Sequence, residues 1–326
     1  MTTGKYRLLT RSDFDGFVSA VLLKEMDLID DVSFVHPKDV QDGKVEVTDR
    51  HILTNLPYAP ACHLCFDHHV SEEIRHDLHQ AENHVLDTHA DSAARVVYDY
   101  YGGAETFKHV NTEMLDAVDK ADSARFSLEE ILNPSGWVLL SFIMDPRTGL
   151  GRFRDFNVSN YEMMMQLISF CRDHTIQEIL QLPDVCERIE LYNVHGKQMI
   201  DQIKRCSTVH GDLVVLDLRN EETIYCGNRF LIYAVFPQCR VSIHLIWGLK
   251  KQNTVFAIGK SILDRTSPID IGDLALLYGG GGHLAAGACQ VPNEDADSIL
   301  EELIARITVE NASNAHEDAP PMPHAA

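Results

Sequence analysis

Residues 5–26 read KYRLLTRSDFDGFVSAVLLKEM. An apolar run ends in two aspartates, Asp13 and Asp15, and a second apolar run begins at once. The first run has the length of a strand over residues 5–10, and the second has helical character over residues 17–26. Asp and Gly tolerate turn geometry, so Asp13, Asp15 and Gly16 suit a tight connection. The same two acids can hold a metal ion, and this stretch alone does not choose between the two uses.

The alternation continues downstream. Short strands are predicted over residues 32–36, 51–55 and 63–66, and helices over 92–101 and 112–121. Alternating short apolar runs and amphipathic helices imply an α/β domain, with a mostly parallel sheet flanked by helices. Residues from about 137 to 206 read as helical throughout. Strand patterns return at 212–218, 241–249 and 254–259, with Lys250–Asn253 as a hairpin turn between the last two. Helices are expected over 228–235 and 296–307. The expected organisation is a metal-binding domain over 1–190, a helical connector over 191–209, a smaller α/β domain over 210–310 and a disordered tail over 311–326.

Composition narrows the function classes. The chain has 326 residues, is 45% apolar, and carries 28 basic against 49 acidic residues, a formal charge of −21. Such an acidic surface argues against tracking along long nucleic acid, which needs a basic face to release counterions. A small anionic substrate remains compatible, because a bound metal makes a pocket locally cationic. No apolar run approaches the roughly 20 residues of a membrane helix, and the N-terminus lacks the pattern of a secretory leader. No membrane association and a cytoplasmic location are therefore expected. The eight cysteines form no paired framework. Cys62-His63-Leu64-Cys65 looks like half of a zinc site, but no second pair has suitable spacing.

Three further clusters carry chemistry. Phe66-Asp67-His68-His69 places an acid and two imidazoles where a strand ends. Ligand sites of open α/β sheets lie outside the carboxyl ends of strands, so this group and Asp13/Asp15 are expected to share one crevice. Carboxylate and imidazole together, with oxygen in excess, suit Mn²⁺, and less specifically Mg²⁺ or Fe²⁺. Asp119 and Asp122 stand at i,i+3 on one helix face, as a charged helix end or as further ligands. Residues 278–287, YGGGGHLAAG, contain four successive glycines followed by His283. Such a run costs chain entropy and lets backbone N–H groups approach an anion closely.

SDFDG, FDHH and GGGGHLAAG, in this order, resemble the DHH phosphoesterase family with its DHH-associated C-terminal domain. The likeness spans about residues 5–308, and its paired FDHH and glycine motifs are the specific part. Members of the family include RecJ-like exonucleases, oligoribonucleotide and pAp phosphatases, linear and cyclic dinucleotide phosphodiesterases and some exopolyphosphatases. The resemblance implies a divalent metal site, often of two Mn²⁺ ions, and a C-terminal glycine loop that holds substrate. By position, Asp13 and Asp15 match the first motif, and Asp67, His68 and His69 the third. Asp122 is taken for the fourth motif, with Asp119 its rival. Gly280, Gly281, Gly282 and His283 match the substrate loop. A homodimer is also suggested by the resemblance.

Two departures from the family pattern stand out. Where a further ligand precedes the first-motif acids, this chain has Leu9-Thr10-Arg11-Ser12. Where a metal-bridging Asp is expected, the matching residue is Asn55, a weaker ligand, with Asp49 a poorly spaced substitute. These changes should weaken one metal position and leave Arg11 to contact phosphate directly. Arg11, Asp67, His68 and His69 are thus the expected catalytic residues, and Asp13, Asp15, Asn55, Asp67, His68 and Asp122 the expected metal ligands. Lys260, Ser261 and Asn228, with Arg229, join the glycine loop as candidate phosphate contacts. The expected activity is metal-dependent hydrolysis of very short linear nucleotides of the pGpG kind. Exopolyphosphatase activity, and nucleotide binding by a regulator with a degraded metal site, are the alternatives.

Overall fold

The computed structural model describes residues 4–69 and 81–314. By its internal contacts the chain divides into one unit of residues 1–194 with Cys226–Asn228, and a second of His195–Tyr225 with residues 229–326.

The first unit begins as the opening stretch predicts. Strand β1 (Tyr6–Thr10) passes through a turn into helix α1 (Phe14–Glu25). Asp13 caps that helix, its Oδ1 accepting from Gly16 N at 3.0 Å. A Cβ on Gly16 would lie 2.1 Å from Arg11 O, so only glycine lets the helix start this close to the strand end. Then follow β2 (Ile29–Phe34), α2 (Pro37–Gln41), β3 (His51–Thr54), β4 (Leu64–Asp67) and β5 (His84–Leu86). All five strands pair in parallel, in the order β2-β1-β3-β4-β5. Such a doubly wound sheet has its switch point between β1 and β3, and a crevice opens there beyond the strand C-termini. Buried Leu8, Leu9, Ile52, Leu53, Cys65 and Phe66 fill the sheet, and Phe17, Val18, Val21 and Leu22 pack from α1.

Helices α3 (Ala93–Tyr100) and α4 (Thr112–Asp122) cover the sheet, followed by α5 (Leu128–Leu132) and α6 (Gly136–Met144). The stretch expected to be wholly helical is broken here. Asp145-Pro146 starts a 3₁₀ turn, and Gly149, at φ 85°, ends it. Residues 153–159 carry no helix. They are held by the fully buried Arg188, whose Nη2 donates to Val158 O and whose guanidinium stacks on Phe156. Helices α7 (Asn160–Phe170), α8 (Ile176–Ile179) and the long α9 (Pro183–Cys206) follow, and the unit boundary falls inside α9.

The second unit is built on a mixed sheet ordered β10-β11-β9-β8-β7-β6. Its strands are β6 (Ser207–His210), β7 (Leu213–Asp217), β8 (Val241–Trp247), β9 (Thr254–Lys260), β10 (Gly281–His283) and β11 (Ala286–Val291). Strand β6 was expected as connector, and residues 228–235 contribute only the short helix α10 (Leu231–Val235). Lys250–Asn253 do turn between antiparallel β8 and β9. Val241, Ile243, Leu245, Phe256 and Ile258 form the core with α11 (Ile271–Leu276) and α12 (Ala296–Asn314). That last helix runs past residue 310, where a disordered tail was expected to begin. Asn311 is buried and accepts from Ser267 Oγ, which ties the final turn down. The rest of the expected tail, 315–326, lies outside the described residues. No helix among the described residues is long and apolar enough to cross a membrane.

Candidate metal centre

The carboxyl ends of β1, β3 and β4 bring the predicted residues of the first unit together. Thr10 Oγ1 donates to Thr54 O at 3.0 Å and accepts from Thr54 Oγ1 at 2.8 Å, which fixes the two strand ends side by side. Beyond them stand Arg11 and Asp13 on one connection, Asp15 in the first turn of α1, Asn55 on the next connection, and Asp67, His68 and His69 at the end of β4.

Three of these residues form one donor set. Asp15, His68 and Asp122 each offer an atom, and these atoms lie within 4.8 Å of one another. Asp15, 2% exposed, accepts from Ala94 N at 2.7 Å and Ala93 N at 2.9 Å, so the start of α3 positions its carboxylate. Burial first, and then the neighbouring Asp122 charge, push its pKa up to about 7. His68 has Nδ1 3.2 Å from Ala90 O, so Nδ1–H donates there and the lone pair falls on Nε2. That Nε2 is buried and lies 2.9 Å from Asp122 Oδ2, with no other partner among the described residues. Burial opposes charge on His68, but Asp122, Asp15 and Asp67 outweigh it and raise its pKa to about 9. Burial likewise opposes ionisation of Asp122, but His68 outweighs it and holds that carboxyl below its usual range.

These residues fit a divalent cation. Two carboxylates and one imidazole converge, and the imidazole's other nitrogen is fixed by a backbone carbonyl, as in protein metal sites generally. The buried Nε2, which faces the Asp122 carboxylate, is the atom that would bind such an ion.

The other predicted ligands are engaged differently. Asp13 pairs with Arg11 Nε at 3.0 Å and accepts from Asn55 Nδ2 at 3.2 Å as well as from Gly16 N. Its pKa is raised, because burial outweighs the Arg11 charge. Asn55, in left-handed backbone at φ 53°, directs its amide nitrogen at Asp13 and leaves Oδ1 buried without a partner among the described residues. Asp67, 1% exposed, accepts on Oδ1 from His68 N at 2.8 Å and His69 Nδ1 at 2.7 Å. Asp67 therefore orients the two histidines. Burial opposes protonation of His69, but Asp67 outweighs it and raises that pKa. Asp119 faces away, held by Arg95 Nη2 at 2.6 Å and Ser92 Oγ at 2.7 Å. Asp49 lies in an exposed turn at the start of β3, the far end of that strand from the site.

In the second unit the predicted substrate residues part company. The glycine run is a tight hairpin as well as a candidate loop. A Cβ on Gly280 would lie 2.1 Å from Ala288 O, and one on Gly282 would lie 2.3 Å from Ala286 O. Gly281 has nothing within 4 Å of that position, and the neighbouring His283 ring is exposed. Lys260 Nζ donates to Ser267 O at 3.1 Å, beside the buried Ser261 whose Oγ accepts from Leu263 N and Asp264 N. Ser261 thus builds a turn. In the first unit, Asn228 is buried and its amide donates to Ile131 O at 2.8 Å, so it serves packing.

One residue the motifs did not point to is Arg147. Its Nε donates to Asp145 Oδ1 at 2.8 Å, and its charge also acts on Asp13 and Asp122. It sits on the Asp145-Pro146 turn, a break hidden by the apolar run before it.

Among solved structures, the chain is similar to a pGpG-specific phosphodiesterase, PggH from Vibrio cholerae, with 57% sequence identity and a TM-score of 0.81. The match covers 94% of this chain and 100% of that one. The chain belongs to the DHH phosphoesterase family. The DHH triplet itself is Asp67-His68-His69, of which His68 enters the donor set. Exonuclease RecJ bound to manganese matches at 12% identity and TM-score 0.48, over 98% of this chain and 92% of that one. CDC45 from Entamoeba histolytica matches at 11% and 0.48, over 93% and 95%. No protein-family model and no curated protein matches the chain.

Proposed function

We propose that this DHH phosphoesterase is a metal-dependent phosphodiesterase that hydrolyses short linear diribonucleotides of the pGpG kind to mononucleotides, with Mn²⁺ as its ion. The observation that carries this reading is the 57% identity, over 94% of the chain, to a pGpG-specific phosphodiesterase. The donor set supports it: Asp15, His68 and Asp122 would hold the ion. A divalent cation held there would supply Lewis acidity, activating water near neutral pH and offsetting charge on the phosphate.

The chain's own residues do the rest. Asp67 fixes His69 through Nδ1 and raises its pKa, which favours the imidazolium form whose Nε2–H can be given to the departing O3′. Arg11, 40% exposed on its side chain, has donors besides the Nε that pairs with Asp13, and these face a phosphate oxygen. In the second unit, backbone at Gly281 and the exposed His283 bind the nucleotide's phosphate. Addition of water across the P–O3′ bond of pGpG gives two molecules of GMP.

The test is purified protein with Mn²⁺ and, in parallel, pGpG, pApA, pAp, a cyclic dinucleotide and polyphosphate. GMP release from pGpG, faster than release from any other member, is expected. Polyphosphate turnover without dinucleotide turnover would instead make the protein an exopolyphosphatase. Tight pGpG binding without product would make it a nucleotide-binding regulator.

A further inference from the structure

We propose that the site holds a single divalent cation per chain, and that the Arg11 guanidinium keeps Asp13 out of its coordination. The proposal rests on the reading above only in taking Asp15, His68 and Asp122 as the metal centre.

The oxygens of the four acids around this site decide it. Asp67 is committed through Oδ1 to two backbone N–H groups and to His69 Nδ1. Asp13 is committed through both oxygens: Oδ1 accepts from Gly16 N and Asn55 Nδ2, and Oδ2 meets Arg11 Nε at 3.0 Å and Asn55 Nδ2 at 3.3 Å. Among the described residues, Asp15 accepts only one N–H on each oxygen. A carboxylate oxygen has about two lone-pair directions, so each keeps one for a metal. Asp122 faces Asp15 and the buried His68 Nε2, which completes the donor set.

Charge gives the same answer. Arg11 offsets Asp13, which leaves Asp15 and Asp122 as the two carboxylates of the donor set. Two carboxylates match one dication. A second dication on Asp13 would sit within a few ångströms of the guanidinium, where like charges repel strongly. Asn55 reinforces the exclusion. Its amide nitrogen already donates to both Asp13 oxygens, and a turned amide would put its own oxygen against that carboxylate. Arg11 is therefore a positioning residue for Asp13 whose charge stands where another ion would otherwise be needed.

Counting ions tests this without substrate. Metal-stripped, full-length protein is titrated with Mn²⁺ alone and read by native mass spectrometry and electron paramagnetic resonance. One Mn²⁺ per chain and a mononuclear six-line spectrum are expected. Two ions per chain with an exchange-coupled spectrum would overturn the proposal. In Arg11→Met/Asn55→Asp, with its melting temperature checked, the count should rise from one to two. A count that stays at one in that folded variant would overturn the role given to Arg11. Arg11→Lys, which keeps the charge, should stay at one, and two ions there would also count against it. GMP release from pGpG is assayed separately: turnover with two ions leaves the function standing and removes this inference, and one ion without turnover does the reverse.

Discussion

Asp119 and Asp122 lie three residues apart on α4 and have separate tasks. Their spacing puts both on one helix face, so sequence alone left them as rivals; what separates them is Arg95 and Ser92 on α3, a contact made only in the fold. Replacing Asp119 with Ala would strand a part-buried guanidinium, at a cost of about 2 kcal/mol. Urea denaturation should show that loss with metal binding retained. Asn55 was legible as an anomaly, but its partner was not, because 42 residues separate it from Asp13. A pH effect belongs at this scale too. Burial first, and then Arg229, hold His244 on β8 down at about 4, against 6.5 for the free ring. Between those values the unfolded chain binds a proton that the folded chain refuses, so stability rises with pH across this window. From pH 7.5 to pH 5 the wild type should lose about 2 kcal/mol more than His244→Gln. Equal losses in urea titrations of the two proteins would remove His244 from the account.

The elements show where local sequence suffices and where it does not. The strand, capped turn and helix of residues 5–26 were readable because Asp13 and Gly16 act on neighbours within a few residues. The break at Asp145-Pro146 was masked by apolar sequence, and the loop after it depends on Arg188, some 30 residues away. The composition of the glycine run suggests a phosphate loop. The structure divides it, since Gly280 and Gly282 are required by the cross-strand approach of β11, whereas Gly281 is not. Gly282→Ala should therefore destabilise the protein by about 1–3 kcal/mol through backbone overlap with Ala286. Gly281→Ala should fold like the wild type and raise the KM for pGpG about tenfold or more. A thermal melt and steady-state kinetics on both variants check the contrast; an unchanged KM in Gly281→Ala would detach the hairpin from substrate binding.

At the scale of the whole molecule, alternation of short strands and helices was enough to place the parallel sheet and its ligand edge. The order β2-β1-β3-β4-β5 then explains why residues as far apart as Asp15, His68 and Asp122 meet. Net charge acts at this scale as well. A charge of −21 disfavours a long polyanion, whereas a bound divalent cation would make the metal centre locally cationic toward a dinucleotide. A single-stranded RNA of about 20 nucleotides, at a phosphate concentration equal to that of pGpG, should leave pGpG hydrolysis unchanged. Strong inhibition would show a nucleic-acid surface that the charge argues against. The most direct test of the central claim compares GMP release from pGpG by the wild type and by Asp122→Asn at saturating Mn²⁺, with melting temperatures measured alongside. A loss of about a thousandfold or more in kcat is expected, in a variant that melts as the wild type does. A variant that keeps near wild-type turnover would show that the chemistry happens somewhere other than the Asp15, His68 and Asp122 site.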